Sequence, residues 1–230
     1  MSPLSNAVLR PTAASRFNTA TFDPNGSASP TLHSLKLWRL VAAPTPGCED
    51  WCLAITVRPA ESGDAAGIAR VCAEGWRDTY ADIYTPEHVE SVIAEYYTVE
   101  RIRGEIAAPD GWDGWIVAVE VGSVVGAGGG GMIEPGAGEV FVLYLDPSRR
   151  REGIGTLLLD AITDQQLAQG AREQWVSVEP ENERGLPFYE ARGFQVQGKR
   201  SAWGSAPEEA RFSLRLVRRL DQSRAQRQGS

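Results

Sequence analysis

Residues 148–162 read SRRREGIGTLLLDAI, with three arginines directly before two glycines and a helical run of leucines. The chain as a whole is acidic, 30 Asp plus Glu against 23 Lys plus Arg, so this positive charge is a local feature. The chemistry such a stretch could do is anion binding. N–H groups in the first turn of a helix lack intrahelical acceptors, and the helix dipole favours negative charge there. Gly153 and Gly155 carry no side chains to block those amides, and Arg150 and Arg151 add permanent charge for phosphate oxygens. A phosphorylated ligand is therefore expected on this turn. No Gly-Lys-Ser/Thr triplet follows, which excludes a Walker-type loop.

A second glycine signal lies at 126–131, GAGGGG, where Gly126, Gly128 and Gly131 fit G-x-G-x-x-G. A dinucleotide site needs a helix to begin there, but MIEPGAGEV follows, a turn and another strand. These are strand glycines, and the expectation is that they leave room in a pocket.

The elements that must position the arginine turn are legible around it. Alternation near Ile55 and Val57 predicts a strand, and Asp64 is the expected N-cap of a helix over 65–77. Thr85-Pro86 starts a helix to about Tyr97, and Thr98 caps a third. WIVAVEVGSVVGAGG reads as two strands about a Val-Gly-Ser turn, and EVFVLYLD as the next strand. The arginine turn then opens a helix to about Gln169, with Ile154, Leu157, Leu158, Ala161 and Ile162 on one face. A strand at EQWVSVEP, a helix over 183–192 and strands near 194–199 and 211–217 complete an α/β chain with a mixed sheet.

Composition limits the function. A net charge of −7 and pI near 5.0 argue against a general nucleic-acid binder. Apolar runs such as 140–145 are far too short to span a bilayer, so no membrane partner is expected. Three cysteines, Cys48, Cys52 and Cys72, form no disulfide framework and fit a reducing, cytoplasmic setting. Cys48, Cys52 and His33 lack the paired spacing of a metal knuckle, so no metal is expected. Residues 1–53, rich in Ser, Thr, Pro, Asn and Gly, read as a poorly ordered extension. Residues 54–218 read as one domain and 219–230 as a tail.

Arg150-Arg151-Glu152-Gly153-Ile154-Gly155 matches Arg/Gln-x-x-Gly-x-Gly/Ala, the signature of the GNAT superfamily of acyl-CoA-dependent N-acyltransferases, which this chain resembles. VLYLDPSRR resembles the strand and Asp-Pro turn that precede the signature. NERGLPFYEARGF resembles the family's Asn-x-x-Ala-x-x-Phe-Tyr-x-x-x-Gly-Phe, with Gly185 in place of the usual Ala. The resemblance spans roughly 54–218. It implies a single domain with a mixed, mainly antiparallel sheet of about six to seven strands flanked by helices. The implied reaction moves an acetyl group from acetyl-CoA to a primary amine.

By the same resemblance, the CoA pyrophosphate lies on Arg150, Arg151, Glu152, Gly153, Ile154, Gly155 and Thr156. Pantetheine runs along Leu143, Tyr144 and Leu145, with the Leu143 amide toward the thioester carbonyl. Tyr189 falls at the general-acid position, as a phenol with an ordinary value near 10. Asn182 either binds a CoA amide or caps its helix. Glu139 stands where some members carry a base. Strand alternation would put it on one face with Phe141, Leu143 and Leu145, beside apolar neighbours that raise a carboxyl. Trp76, Tyr80, Tyr84 and Trp203 sit where the family walls the acceptor, and aromatics with nearby acids suit a cationic amine.

The expected function is acetylation of a small-molecule amine. A protein N-terminal acetyltransferase would need an open peptide groove, and a non-catalytic acyl-CoA-binding module would bind CoA without turnover. A homodimer is the assembly the resemblance allows.

Overall fold

The computed structural model describes residues 55–201 and 212–221. Cys48, Cys52, His33, the 1–53 extension, Trp203 and the tail beyond 221 lie outside them. The chain begins with β1 (Thr56–Pro59), then α1 (Ala65–Tyr80), α2 (Pro86–Tyr96) and α3 (Val99–Ala107). β2 (Ile116–Glu120), β3 (Ser123–Glu134) and β4 (Ala137–Leu145) follow as a meander. α4 (Ile154–Ala168), β5 (Glu173–Val178), α5 (Gly185–Glu190), β6 (Gln195–Ser201) and β7 (Phe212–Arg219) complete the order. The seven strands form one sheet, β1-β2-β3-β4-β5-β7-β6, antiparallel except where β4 lies parallel to β5. No helix of the described residues is long and apolar enough to cross a membrane.

Local chemistry explains the helix starts. Thr85 and Thr98 accept from the amides of His88 and Arg101, each at 3.3 Å, as their spacing predicts. Asp64 stands at the N-cap position of α1 as expected, but its side chain makes no cap hydrogen bond to the helix. It ends a short 3-10 turn, and its carboxylate reaches back to the Glu61 amide at 2.7 Å and the Arg58 guanidinium at 2.6 Å. The carboxylate of the N-cap residue is thus directed to an ion pair that ties the helix start to β1. α1 also runs one turn longer than expected, through Tyr80, which brings Asp78 and Tyr80 toward the sheet's open end.

The sheet is covered on both faces. Ile154, Leu158, Leu159 and Ile162 of α4 pack with Val140, Val176 and Leu216 on one side. Ile68, Val71 and Cys72 of α1 and Ile102 of α3 pack with Val117, Val142, Trp112 and Trp115 on the other. The glycines of β3 leave no pocket, contrary to expectation. A Cβ on Gly126 would lie 2.9 Å from Leu145 and Leu158, and one on Gly128 would lie 3.2 Å from Ile162. On the opposite face Trp112 fills the space over Gly129 and Gly131. The glycines serve close approach of α4 and Trp112 to the sheet.

Candidate active site

The site begins with a fault in a ladder. Gly129 pairs with Val142 and Gly130 with Val140, so Phe141 is an extra residue, a β-bulge. The bulge reverses the alternation expected for β4. Leu143 and Leu145 pack with the α4 core, whereas Phe141 packs with the α1 core, so the four residues do not share a face. Pairing of β4 with β5 runs only from Ala137↔Glu173 to Val140↔Val176. Beyond it Leu143, Tyr144 and Leu145 are laddered to β3 alone, and β4 parts from β5.

The arginine turn lies at the end of that opening. Gly153 caps α4 at φ 85, and a Cβ there would meet nothing within 4 Å. Its glycine is required by the left-handed backbone, and the space beside it is open. Gly155 has a different reason: a Cβ would lie 3.1 Å from the Phe188 ring, so it seats α4 against α5. Arg151 holds φ 66, a conformation that costs a non-glycine residue on the order of 1–2 kcal/mol.

The three arginines are not equivalent. Arg149 is bound to Glu120 at 2.6 Å and to Glu152 at 2.8 Å, which anchors the turn and occupies the Glu152 carboxylate. Arg150 pairs with Asp78 of α1, which also binds Arg184, just before α5. Arg151 makes no ion pair with another described residue. Ile154 is buried in the core, the half-buried Thr156 accepts from Arg192 with its hydroxyl, and its amide donates to the Gly153 carbonyl at 2.9 Å.

Asn182 caps. Its Oδ1 accepts from the amides of Gly185 at 2.8 Å and Arg184 at 3.3 Å. The departure at Gly185 follows, because a Cβ there would press on the Asn182 amide at 2.7 Å.

Tyr189 is buried, its ring against Phe188 and Phe194 at 5.1 and 5.3 Å between centroids. Burial, and next the nearby Tyr80, push its hydroxyl above the ordinary phenol value. Tyr80 is itself pushed up to about 12 by burial of its hydroxyl, with a hydrogen bond to Tyr144 opposing. Tyr80 thus lies close to both β4 and α5.

Glu139 is 8% exposed, but its surroundings are not apolar. Arg215 of β7 pairs with its Oε1, and the Ser177 hydroxyl lies 3.5 Å from the same oxygen. The Arg215 guanidinium sits 4.9 Å over the Trp175 ring.

Trp76, Tyr80 and Tyr84 form one cluster, with centroids 4.2 Å (Trp76–Tyr80) and 5.6 Å (Tyr80–Tyr84) apart. His88 stacks on Tyr84 at 4.7 Å. Trp76 is core, 4% exposed and donating to the Tyr97 hydroxyl at 3.1 Å. Tyr80 and Tyr84 form the cluster's partly exposed edge. Asp78, Arg184 and Arg215 were not legible as site residues, because their partners lie 72, 106 and 76 positions away.

An open sheet whose parallel pair diverges beside a glycine–arginine helix start defines an acyltransferase of the N-acetyltransferase type. Residues 74–194 match the Acetyltransferase (GNAT) family, and the chain belongs to that family. It is 31% identical over 150 residues to the spermidine N(1)-acetyltransferase of Thermoplasma acidophilum, covering 63% of this chain and 91% of that one. It is 30% identical over 145 residues to the uncharacterised N-acetyltransferase YuaI of Bacillus subtilis, covering 60% and 78%. The crystal structure of the PaiA N-acetyltransferase of T. acidophilum in complex with coenzyme A aligns with a TM-score of 0.64. That alignment has 25% identity and covers 73% of this chain and 99% of that one.

Proposed function

We propose that this protein transfers the acetyl group of acetyl-CoA to a primary amine of a small molecule, with polyamines the first class to test. The observation that carries the reading is the parting of β4 from β5 at a turn with open space over a left-handed Gly153. A thioester on an extended arm fits between separated strands, and a diphosphate fits a helix start whose amides at 152–155 and whose Arg151 have no hydrogen-bond or ion-pair partner among the described residues. The similarity to a spermidine acetyltransferase and to a CoA-bound acetyltransferase supports the same reading.

In this mechanism Arg151, Arg150 and the amides of residues 152–155 hold the diphosphate, the Thr156 amide being bound to the Gly153 carbonyl at 2.9 Å. The backbone of Leu143 and Leu145 aligns the thioester, an N–H polarising its carbonyl as negative charge develops on the oxygen. The amine attacks the carbonyl carbon, the C–S bond breaks, Tyr189 supplies a proton to the departing sulfur, and the second proton lost from the nitrogen restores the phenol through solvent. Both described partners of Glu139 bind Oε1, which leaves Oε2 to take the proton from the amine, directly or through water. Tyr80 and Tyr84 supply aromatic rings, whose faces attract the cationic acceptor before it is deprotonated.

The test is release of free CoA thiol, followed with dithiobisnitrobenzoate, against polyamines, monoamines and peptides with free N-termini. Turnover with a small amine is expected. Turnover confined to peptides would make this an N-terminal acetyltransferase, and acetyl-CoA binding without turnover would make it a binding module.

A further inference from the structure

The strand glycines and a buried amide together point to how the opening between β4 and β5 is held. The Gln166 side chain, on α4, is fully buried. Its Nε2 donates to the carbonyl of Glu139 at 2.9 Å and lies 3.4 Å from that of Gly131. Carbonyl oxygens only accept, which fixes the nitrogen on this end. The other end accepts from Gln174 Nε2 of β5 at 2.8 Å, and Gln174 accepts in turn from Arg218 Nε of β7 at 3.0 Å.

The Glu139 carbonyl is tipped toward α4, into the space where a Cβ on Gly130 would stand. A Cβ on Gly138 would collide with the Gln166 amide. Gly130 and Gly138 are therefore the cradle for one carbonyl and one amide. The tipped carbonyl comes two residues before the bulged Phe141, and pairing with β5 ends at Val140.

We propose that Gln166 is a positioning residue for acyl transfer: by holding the Glu139 carbonyl out of the sheet plane, it fixes the β4 bulge and the place where β4 leaves β5. The inference rests on the reading of that opening as the acetyl-CoA site. Without the amide, a buried carbonyl would lose its donor. The cheapest remedy would be to turn the peptide back into the ladder, extending β4–β5 pairing into the opening. Leu143 and Leu145 would then be displaced although neither touches Gln166.

The experiment compares native protein with Gln166→Met, Gln166→Glu and Gly130→Ala. Each variant is assayed well below its own melting temperature, with the core variant Leu159→Val as a destabilised control. Gln166→Met and Gly130→Ala should lower kcat/KM for acetyl-CoA by on the order of 10²-fold, the scale of a small misplacement of reacting groups. Leu159→Val should melt earlier and keep native kinetics. Gln166→Glu is the milder variant, since a protonated carboxyl still donates to the Glu139 carbonyl. Its acetyl-CoA affinity should be near native at low pH and fall as the carboxyl ionises. Hydrogen exchange in the ligand-free protein reads the bulge without relying on the ligand. The Met variant should change protection at residues 140–145 and 176–178 specifically. Native acetyl-CoA kinetics in both Gln166→Met and Gly130→Ala, or exchange raised evenly across the sheet, would overturn the inference. If the native protein fails to bind acetyl-CoA, the functional reading falls, while the exchange pattern still decides the role of Gln166.

Discussion

Tyr189 packs its ring into the α4 core while its hydroxyl lies near Tyr80, so Tyr189→Phe removes a proton and little packing. Acetyl-CoA affinity should barely change, and turnover should fall by roughly 10²–10⁴-fold, the usual cost of a lost general acid. Because burial raises the hydroxyl above its ordinary value near 10, it stays protonated throughout the neutral range. A basic limb of the pH–rate profile below about pH 10 would therefore belong to another group. Glu139→Gln should lower kcat, with the Arg215 guanidinium left without its carboxylate beside Trp175. Near-native turnover in Tyr189→Phe would make that tyrosine structural and leave the thiolate to take its proton from water.

Three elements meet at Asp78, where the last turn of α1 holds Arg150 of the phosphate turn and Arg184 before α5. A carboxylate that satisfies two guanidinium groups competes with a diphosphate for them. Asp78→Asn should tighten acetyl-CoA binding by about two- to fivefold in low salt, the scale of a part-exposed ion pair of about 0.5–1 kcal/mol. Calorimetry from about 50 to 300 mM salt, over which the Debye length falls from about 14 to about 6 Å, would show the gain fading as salt rises. Weaker binding would mean that Asp78 aligns Arg150 instead. The same tie gives a pH dependence. Its hydrogen bond with Arg150 holds the Asp78 carboxyl below the usual range, so the folded value lies under the unfolded one, near 3.9. Its stabilisation is complete above about pH 5, a unit over the unfolded value, and is lost as pH falls through the lowered value. Thermal melts of native protein should lose more between about pH 5 and 2 than those of Asp78→Asn.

At the scale of the whole molecule, the buried residues of both main cores lie, among the described residues, between Val57 and Leu216. A chain starting at residue 54 should melt within a few degrees of the full chain, a shift equivalent to about 1 kcal/mol or less. Scanning fluorimetry checks it, and a larger fall would place part of 1–53 on the domain. Much of this architecture was legible in the sequence: the strand–helix order, the Thr85 and Thr98 caps and the arginine–glycine helix start. These are set by neighbours a few residues apart, through period, capping and backbone conformation, which a linear chain displays directly. Long-range contacts settled the rest. The bulge at Phe141 undid the alternation of β4, and Arg215 replaced the apolar surroundings expected for Glu139. The glycines of 126–131 proved to be room for α4, Trp112 and a tipped carbonyl. Each of these outcomes depends on which side chain arrives from far along the chain, and only packing the helices onto the sheet decides that.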